Sequence, residues 1–122
     1  MGADSSGPNE YCRLVIRRAA DVAYNLIGNT TIGLSQYAVT DSRGLFIANA
    51  PNITTRKFYK NGSIVTPGSQ SGLGTNGLST RTIYIGALHD TTGAEYDNKE
   101  CAFSSIGDGL TDVQATALYN SV

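Results

Sequence analysis

The sequence predicts an all-β fold: a two-sheet antiparallel β-sandwich closed by one short C-terminal helix. Three observations carry that reading. Turn formers are abundant, with 14 Gly among 122 residues. Short runs rich in Ile, Val and Tyr recur between turn signals, as a sheet protein with many short strands requires. A helix start signature followed by an apolar helical stripe stands near the C-terminus, at Thr111 to Gln114.

The elements follow in order. Tyr11 to Arg17 has a β-branched centre and reads as a strand; Val22 to Ile27 is the next, joined to it by the short connection Arg18-Ala19-Ala20-Asp21. Thr31 to Val39 is a third, weaker run, and Gly33 inside it suggests a bulge or bend. After the turn at Asp41-Ser42, Leu45 to Ala48 forms a strand that the Asn49-Ala50-Pro51-Asn52 cluster stops. Arg56 to Val65 holds the clearest local signal, because Asn61-Gly62 supplies the two positive-φ residues of a two-residue hairpin turn between strand-like flanks. Thr66 to Thr80 is a polar loop with four glycines; it lacks the Gly-Lys-Ser/Thr signature and the following helix that a phosphate cradle needs. Arg81 to Gly86 alternates Thr82 and Tyr84 with Ile83 and Ile85, a strand pattern. Ala87 to Lys99 reads as loop, Glu100 to Ile106 as strand, and Gly107-Asp108-Gly109 as a turn. The helix then spans Asp112 to Asn120, started by a capping box with Thr111 as N-cap and Gln114 at N3, and with Val113, Ala117 and Leu118 as its apolar stripe.

Composition bounds the partners. Lys+Arg 9 against Asp+Glu 10 leaves a formal charge of −1, and charged residues are only 16 % of the chain. That balance excludes a dominant nucleic-acid or anionic-membrane footprint, each of which needs clustered positive charge. No apolar run approaches the roughly 18–20 residues of a bilayer span, and residues 1–8 are too polar for a signal peptide, so a soluble chain without membrane insertion is expected. The length fits one domain over residues 1–122. Cys12 and Cys101 lie near opposite ends inside apolar runs. They are either two buried thiols or a disulfide closing most of the chain, worth roughly 4–5 kcal/mol in the chain-entropy model. With His89 the single histidine and no Cys-x-x-Cys, a Cys/His metal site lacks ligands.

A family pattern runs through residues 43–122: Arg43-Gly44-Leu45-Phe46-Ile47-Ala48-Asn49, Phe58-Tyr59-Lys60-Asn61-Gly62, Ile83-Tyr84-Ile85-Gly86-Ala87-Leu88, and Glu100 through Phe103 and Gly107-Asp108-Gly109 to Thr111. This ordered set, about two thirds of the chain, resembles concanavalin A-like lectin/glucanase domains, the laminin-G-like jelly rolls, in the style of bacteriophage and gut-metagenome structural proteins. The resemblance implies a lectin-like jelly roll that is either a minimal sandwich or the C-terminal part of a longer polypeptide. A short sandwich leaves edge strands to protect, which a homo-oligomer can do.

The resemblance also directs the search for chemistry. Glycoside hydrolysis needs paired carboxylates about 5–10 Å apart; the acidic cluster Glu95, Asp97 and Glu100 begins in a loop and lacks the Glu-x-Asp-x-x-Glu arrangement of the family's hydrolases. His89-Asp90 has no nucleophile elbow beside it. The chain is therefore expected to be non-catalytic, with hydrolysis the least favoured reading. Lectin-like sandwiches bind sugars or proteins on rim loops, where aromatic rings stack on pyranose faces and Asn/Asp side chains read hydroxyls. The ligand-binding candidates are Tyr37, Tyr59, Tyr96, Asp97 and Asn98. Asp90 and Asp97, with Asn98, are candidate oxygen ligands for Ca²⁺, which some relatives bind, although their spacing fits no dedicated calcium loop. No other cofactor is implied. The expected function is carbohydrate or receptor binding on a phage fibre or another exposed protein, with a glycan or host-surface receptor as partner; the alternative is a purely structural virion or fibre domain that meets copies of itself or other virion proteins. Either role places the chain on a virion or an extracellular surface, where the Asn-x-Ser/Thr sites at Asn29, Asn52 and Asn61 are turn asparagines unless the chain passes a eukaryotic secretory route.

Overall fold

The hairpin at Asn61-Gly62 forms as its sequence requires. In the computed structural model Asn61 has φ 51° and Gly62 φ 74°, the left-handed pair that matches a two-residue turn to strand twist. The structure describes residues 2–3, 12–18, 21–27, 35–52, 55–66, 84–85, 87–89, 94–96 and 100–122. Nine strands and one helix are assigned there: β1 Gly2–Ala3, β2 Cys12–Arg18, β3 Val22–Ile27, β4 Ser35–Ala38, β5 Phe46–Asn52, β6 Thr55–Lys60, β7 Ser63–Ile64, β8 Ala87–His89, β9 Ala94–Tyr96 and α1 Asp112–Ser121. The chain is mostly β. Two antiparallel three-strand sheets dominate it, β2-β3-β4 and β5-β6-β7, and the first is extended through β1 by the β8-β9 hairpin to the order β4-β3-β2-β1-β8-β9. The β1–β8 step is parallel, which departs from the all-antiparallel expectation.

Three sequence expectations are corrected. Residues 87–99, expected as loop, contain the β8-β9 hairpin, with Ala87 opposite Tyr96 and His89 opposite Ala94; three-residue strands built on alanine carry almost no β signal of their own. Glu100 to Ile106, expected as strand, has no strand partner among the described residues, and its apolar Phe103 and Ile106 are exposed. Strand β5 runs through Ala50-Pro51 rather than stopping before them. Proline is tolerated there because β5 is an edge strand, and the pairing with β6 shifts register between Asn49 and Asn52. Tyr84 makes a single bridge and Ile85 a bend, while the rest of the Arg81 to Gly86 strand, Gly33 and nearly all of the Thr66 to Thr80 loop lie outside the described residues.

Alternation along β6 decides where the two sheets and the helix sit. Phe58 and Tyr59 are neighbours and both are buried, so they are covered from opposite faces of the sheet. Phe58 joins Ala23, Tyr37, Val39 and Phe46 in the core, with Leu14 and Val65 packed against it. The Tyr37 and Phe58 rings stack at 4.5 Å and Phe46 tilts against Phe58 at 5.9 Å, so one aromatic line links β4 to β5 and β6. Asn25 of β3 reaches the same seam and donates through Nδ2 to the Lys57 carbonyl at 3.3 Å. The opposite face of β5-β6 lies under the segment that leads into α1. The capping box forms as expected, Thr111 Oγ1 accepting from the Gln114 amide and Gln114 Oε1 from the Thr111 amide. Its buried face differs from the expected stripe: Ala115 is fully buried and Leu118 half-buried, while Val113 is 80 % exposed.

Candidate functional site

The densest polar arrangement among the described residues joins β5 and β6 to the start of α1. Register places Asn49 opposite Lys57, and Ile47 opposite Tyr59, on the face away from the aromatic core. The capping box fixes the first helical turn, which brings Asp112 over that face. Asp112 Oδ1 accepts from Lys57 Nζ at 2.5 Å and from the Tyr59 hydroxyl at 2.7 Å. Two residues before it, the Asn49 side-chain amide pairs with the backbone of Leu110, donating to its carbonyl at 2.7 Å and accepting from its N–H at 2.9 Å. Gly109 is needed for this approach, since a Cβ there would lie 2.7 Å from Pro51 Cα and 3.0 Å from the Ala50 carbonyl. Thr116 Oγ1 donates to the Gly62 carbonyl at 3.1 Å and ties the helix to the hairpin turn.

The electrostatics make this cluster a holding device. The Lys57 ammonium, then the Tyr59 hydroxyl, lower the Asp112 carboxyl below its ordinary value. The Asp112 hydrogen bond raises the Lys57 amine. Burial pushes the Tyr59 hydroxyl up, and its bond to Asp112 adds to that. At neutral pH the site therefore holds a carboxylate, an ammonium and a neutral phenol, with neither a free amine nucleophile nor a poised proton donor. A second, exposed pair lies across the hairpin end: Arg43 bonds both carboxylate oxygens of Asp41 and holds it at about 2, while Lys60 Nζ donates to the Asp41 carbonyl.

A lowered carboxyl favours the folded arrangement above its unfolded value near 3.8, and that contribution is lost as pH falls below it. Acidification below about pH 4 is expected to loosen α1 before the core opens, and added salt to weaken the same contact because Asp112 is exposed. NMR titration of the Asp112 carboxyl alongside the α1 amides checks this; an unshifted carboxyl midpoint contradicts it.

Of the residues expected to bind ligand, the three tyrosines lie on three different strands. Tyr37 is 1 % exposed with its ring on Phe58, and Tyr59 is 1 % exposed beneath the helix, so neither presents a ring face to a sugar here. Tyr96 ends β9 at the edge of the larger sheet. Asp90, Asp97 and Asn98 lie outside the described residues, as does Asn29. Among the described residues, no three His, Cys, Asp or Glu side chains group as a metal site needs, and no helix is long and apolar enough to cross a membrane. Cys101 meets neither sequence alternative, disulfide or buried thiol: it is free and exposed, and its Sγ donates to the Phe103 carbonyl at 3.2 Å. Asn61 serves its turn, and Asn52 is exposed at the end of β5.

Asn49, Lys57 and Asp112 are the residues that sequence reasoning passed over. Asn49 reads as a strand stop and Lys57 as one arm of a hairpin, whereas Asp112 has a signal in its place directly after the N-cap. No protein-family model, curated protein or solved structure matches this chain, and its family reading rests on the residues themselves.

Proposed function

We propose that the chain is a non-catalytic β-sandwich of the concanavalin A-like, jelly-roll kind, acting as a structural assembly domain on an exposed particle such as a phage fibre, with copies of itself as partner. The observation that carries this reading is the C-terminal stretch from residue 100. Phe103 is 47 % exposed, Ile106 66 %, Val113 80 % and Val122 65 %, on a segment pinned to β5 and β6 at Leu110 and Asp112 by polar contacts. Apolar side chains of this size, presented on an anchored backbone, favour contact with protein over contact with sugar hydroxyls. The burial of Tyr37 and Tyr59 supports the same choice, because it removes two of the three stacking platforms the glycan reading relies on.

Light scattering on the purified chain tests it, with a stable trimer or other closed oligomer as the expected result. Ile106→Asp and Val113→Asp sit at exposed positions, where substitutions usually change stability by less than about 0.5 kcal/mol, and are expected to shift that oligomer toward monomer. A monodisperse monomer at every concentration overturns the assembly reading. Carbohydrate or receptor recognition is the second reading, favoured by the placement of Tyr96 on an edge hairpin with Asp97 and Asn98 next in the chain. A glycan array separates the two: binding that is lost in Tyr96→Ala, by a monomeric chain, selects recognition.

A further inference from the structure

The hairpin turn carries reactive chemistry of its own. An asparagine followed by glycine is open to attack by the next backbone nitrogen, since glycine has no side chain to obstruct the approach. Gly62 N would form a bond to Asn61 Cγ, the bond from Cγ to Nδ2 would break, and Nδ2 would leave as ammonia with the proton from the Gly62 amide. Water then opens the resulting five-membered imide at either carbonyl, giving aspartate or an isoaspartate whose main chain runs through Cγ. One ammonia is lost and one water taken up.

The native geometry holds the Asn61 side chain away from that path. Its Oδ1 accepts from the Leu45 amide at 3.0 Å while its own N–H donates to the Leu45 carbonyl at 2.9 Å. Gly44, at φ +115°, packs so closely beneath it that a Cβ there would lie 2.2 Å from Oδ1 and 2.9 Å from Cγ. The peptide that must rotate lies between two positive-φ residues, closed on either side by the Lys60–Ser63 pair. Reaction needs the side chain to leave Leu45 and the turn to open together.

We propose that Asn61–Gly62 is a fold-gated deamidation site, protected while the β6–β7 turn is bonded to Leu45 through Asn61 and labile once that end of the sheet opens. The isoaspartate product adds a main-chain carbon to a two-residue turn, which removes the register between Lys60 and Ser63. A molecule that has opened there is thus marked and hindered from closing again. The aspartate product keeps an oxygen for Leu45 and adds a negative charge beside Lys60.

Peptide mapping by mass spectrometry tests this on the unmodified chain, incubated folded and in guanidinium chloride at the same mildly alkaline pH. The sequence holds a second pair, Asn76–Gly77, which serves as a comparison within the same molecule. Two hydrogen bonds that must break before reaction imply that Asn61 deamidates about tenfold or more slowly in the folded chain than in denaturant. Equal rates in the two states overturn the gating, and an Asn61 that is unreactive in denaturant while Asn76 reacts overturns the site itself.

Discussion

Phe58→Ala is expected to destabilise the chain by about 3–5 kcal/mol, the range for removing a large aromatic side chain from a core. Phe58 is fully buried and is the ring that both Tyr37 and Phe46 contact. Its loss opens a cavity between β4 and β6 and leaves Tyr37 without a stacking partner, so collapse around the site can recover little. Set against a typical domain stability of about 5–15 kcal/mol, such a loss threatens folding itself. Urea denaturation followed by circular dichroism measures the effect, and Phe58→Leu, which retains most of the volume, is expected to lose distinctly less. Equal losses in the two variants would mean that retained volume counts for little and that the ring contacts with Tyr37 and Phe46 carry the effect.

Asn49→Ala is the second large effect, and it differs in kind. The substitution removes both hydrogen bonds to Leu110 and leaves that residue's N–H and carbonyl without their partner in a half-buried position, a loss of about 1–3 kcal/mol. The damage is expected to stay local. Hydrogen exchange of the α1 amides, beginning with Ala115, whose N–H bonds the Thr111 carbonyl, is expected to speed up while the amides of β2 and β3 keep their protection. Asn49→Asp keeps an acceptor for the Leu110 N–H but sets a carboxylate against the Leu110 carbonyl, so it is expected to rescue little. Unchanged α1 exchange in Asn49→Ala would show that the helix is held by other contacts.

Local chemistry was legible in the sequence, and pairing over distance was not. The Asn61-Gly62 turn and the Thr111–Gln114 capping box each depend on residues within a few positions of one another, and both form as read. Strand Val22 to Ile27 is bounded by its own turn signals and falls where the pattern puts it. Glu100 to Ile106 has the composition of a strand but, among the described residues, no neighbouring strand to supply hydrogen bonds, a fact no local pattern contains. The helix shows the same limit: its stripe of Val113, Ala117 and Leu118 is real as periodicity, yet the polar anchors at Lys57, Tyr59 and Asn49 rotate a different face, centred on Ala115, onto the sheet. Asp112 meets Lys57 across 55 residues of chain, and only the β5–β6 register places that lysine on the side the helix occupies.

That the C-terminal segment is fastened by hydrogen bonds and an ion pair, with Ala115 its one fully buried side chain, gives its release a thermodynamic character unlike that of the core. Heat capacity change and denaturant sensitivity both scale with the surface uncovered. Undocking of residues 109–121 uncovers Ala115 and part of Tyr59, so it is expected to move ΔCp and the m-value less than opening the aromatic line does. The molecule is thus expected to show two transitions with different calorimetric signatures: a shallow early one, sensitive to acid and salt, and a steep later one that answers to urea.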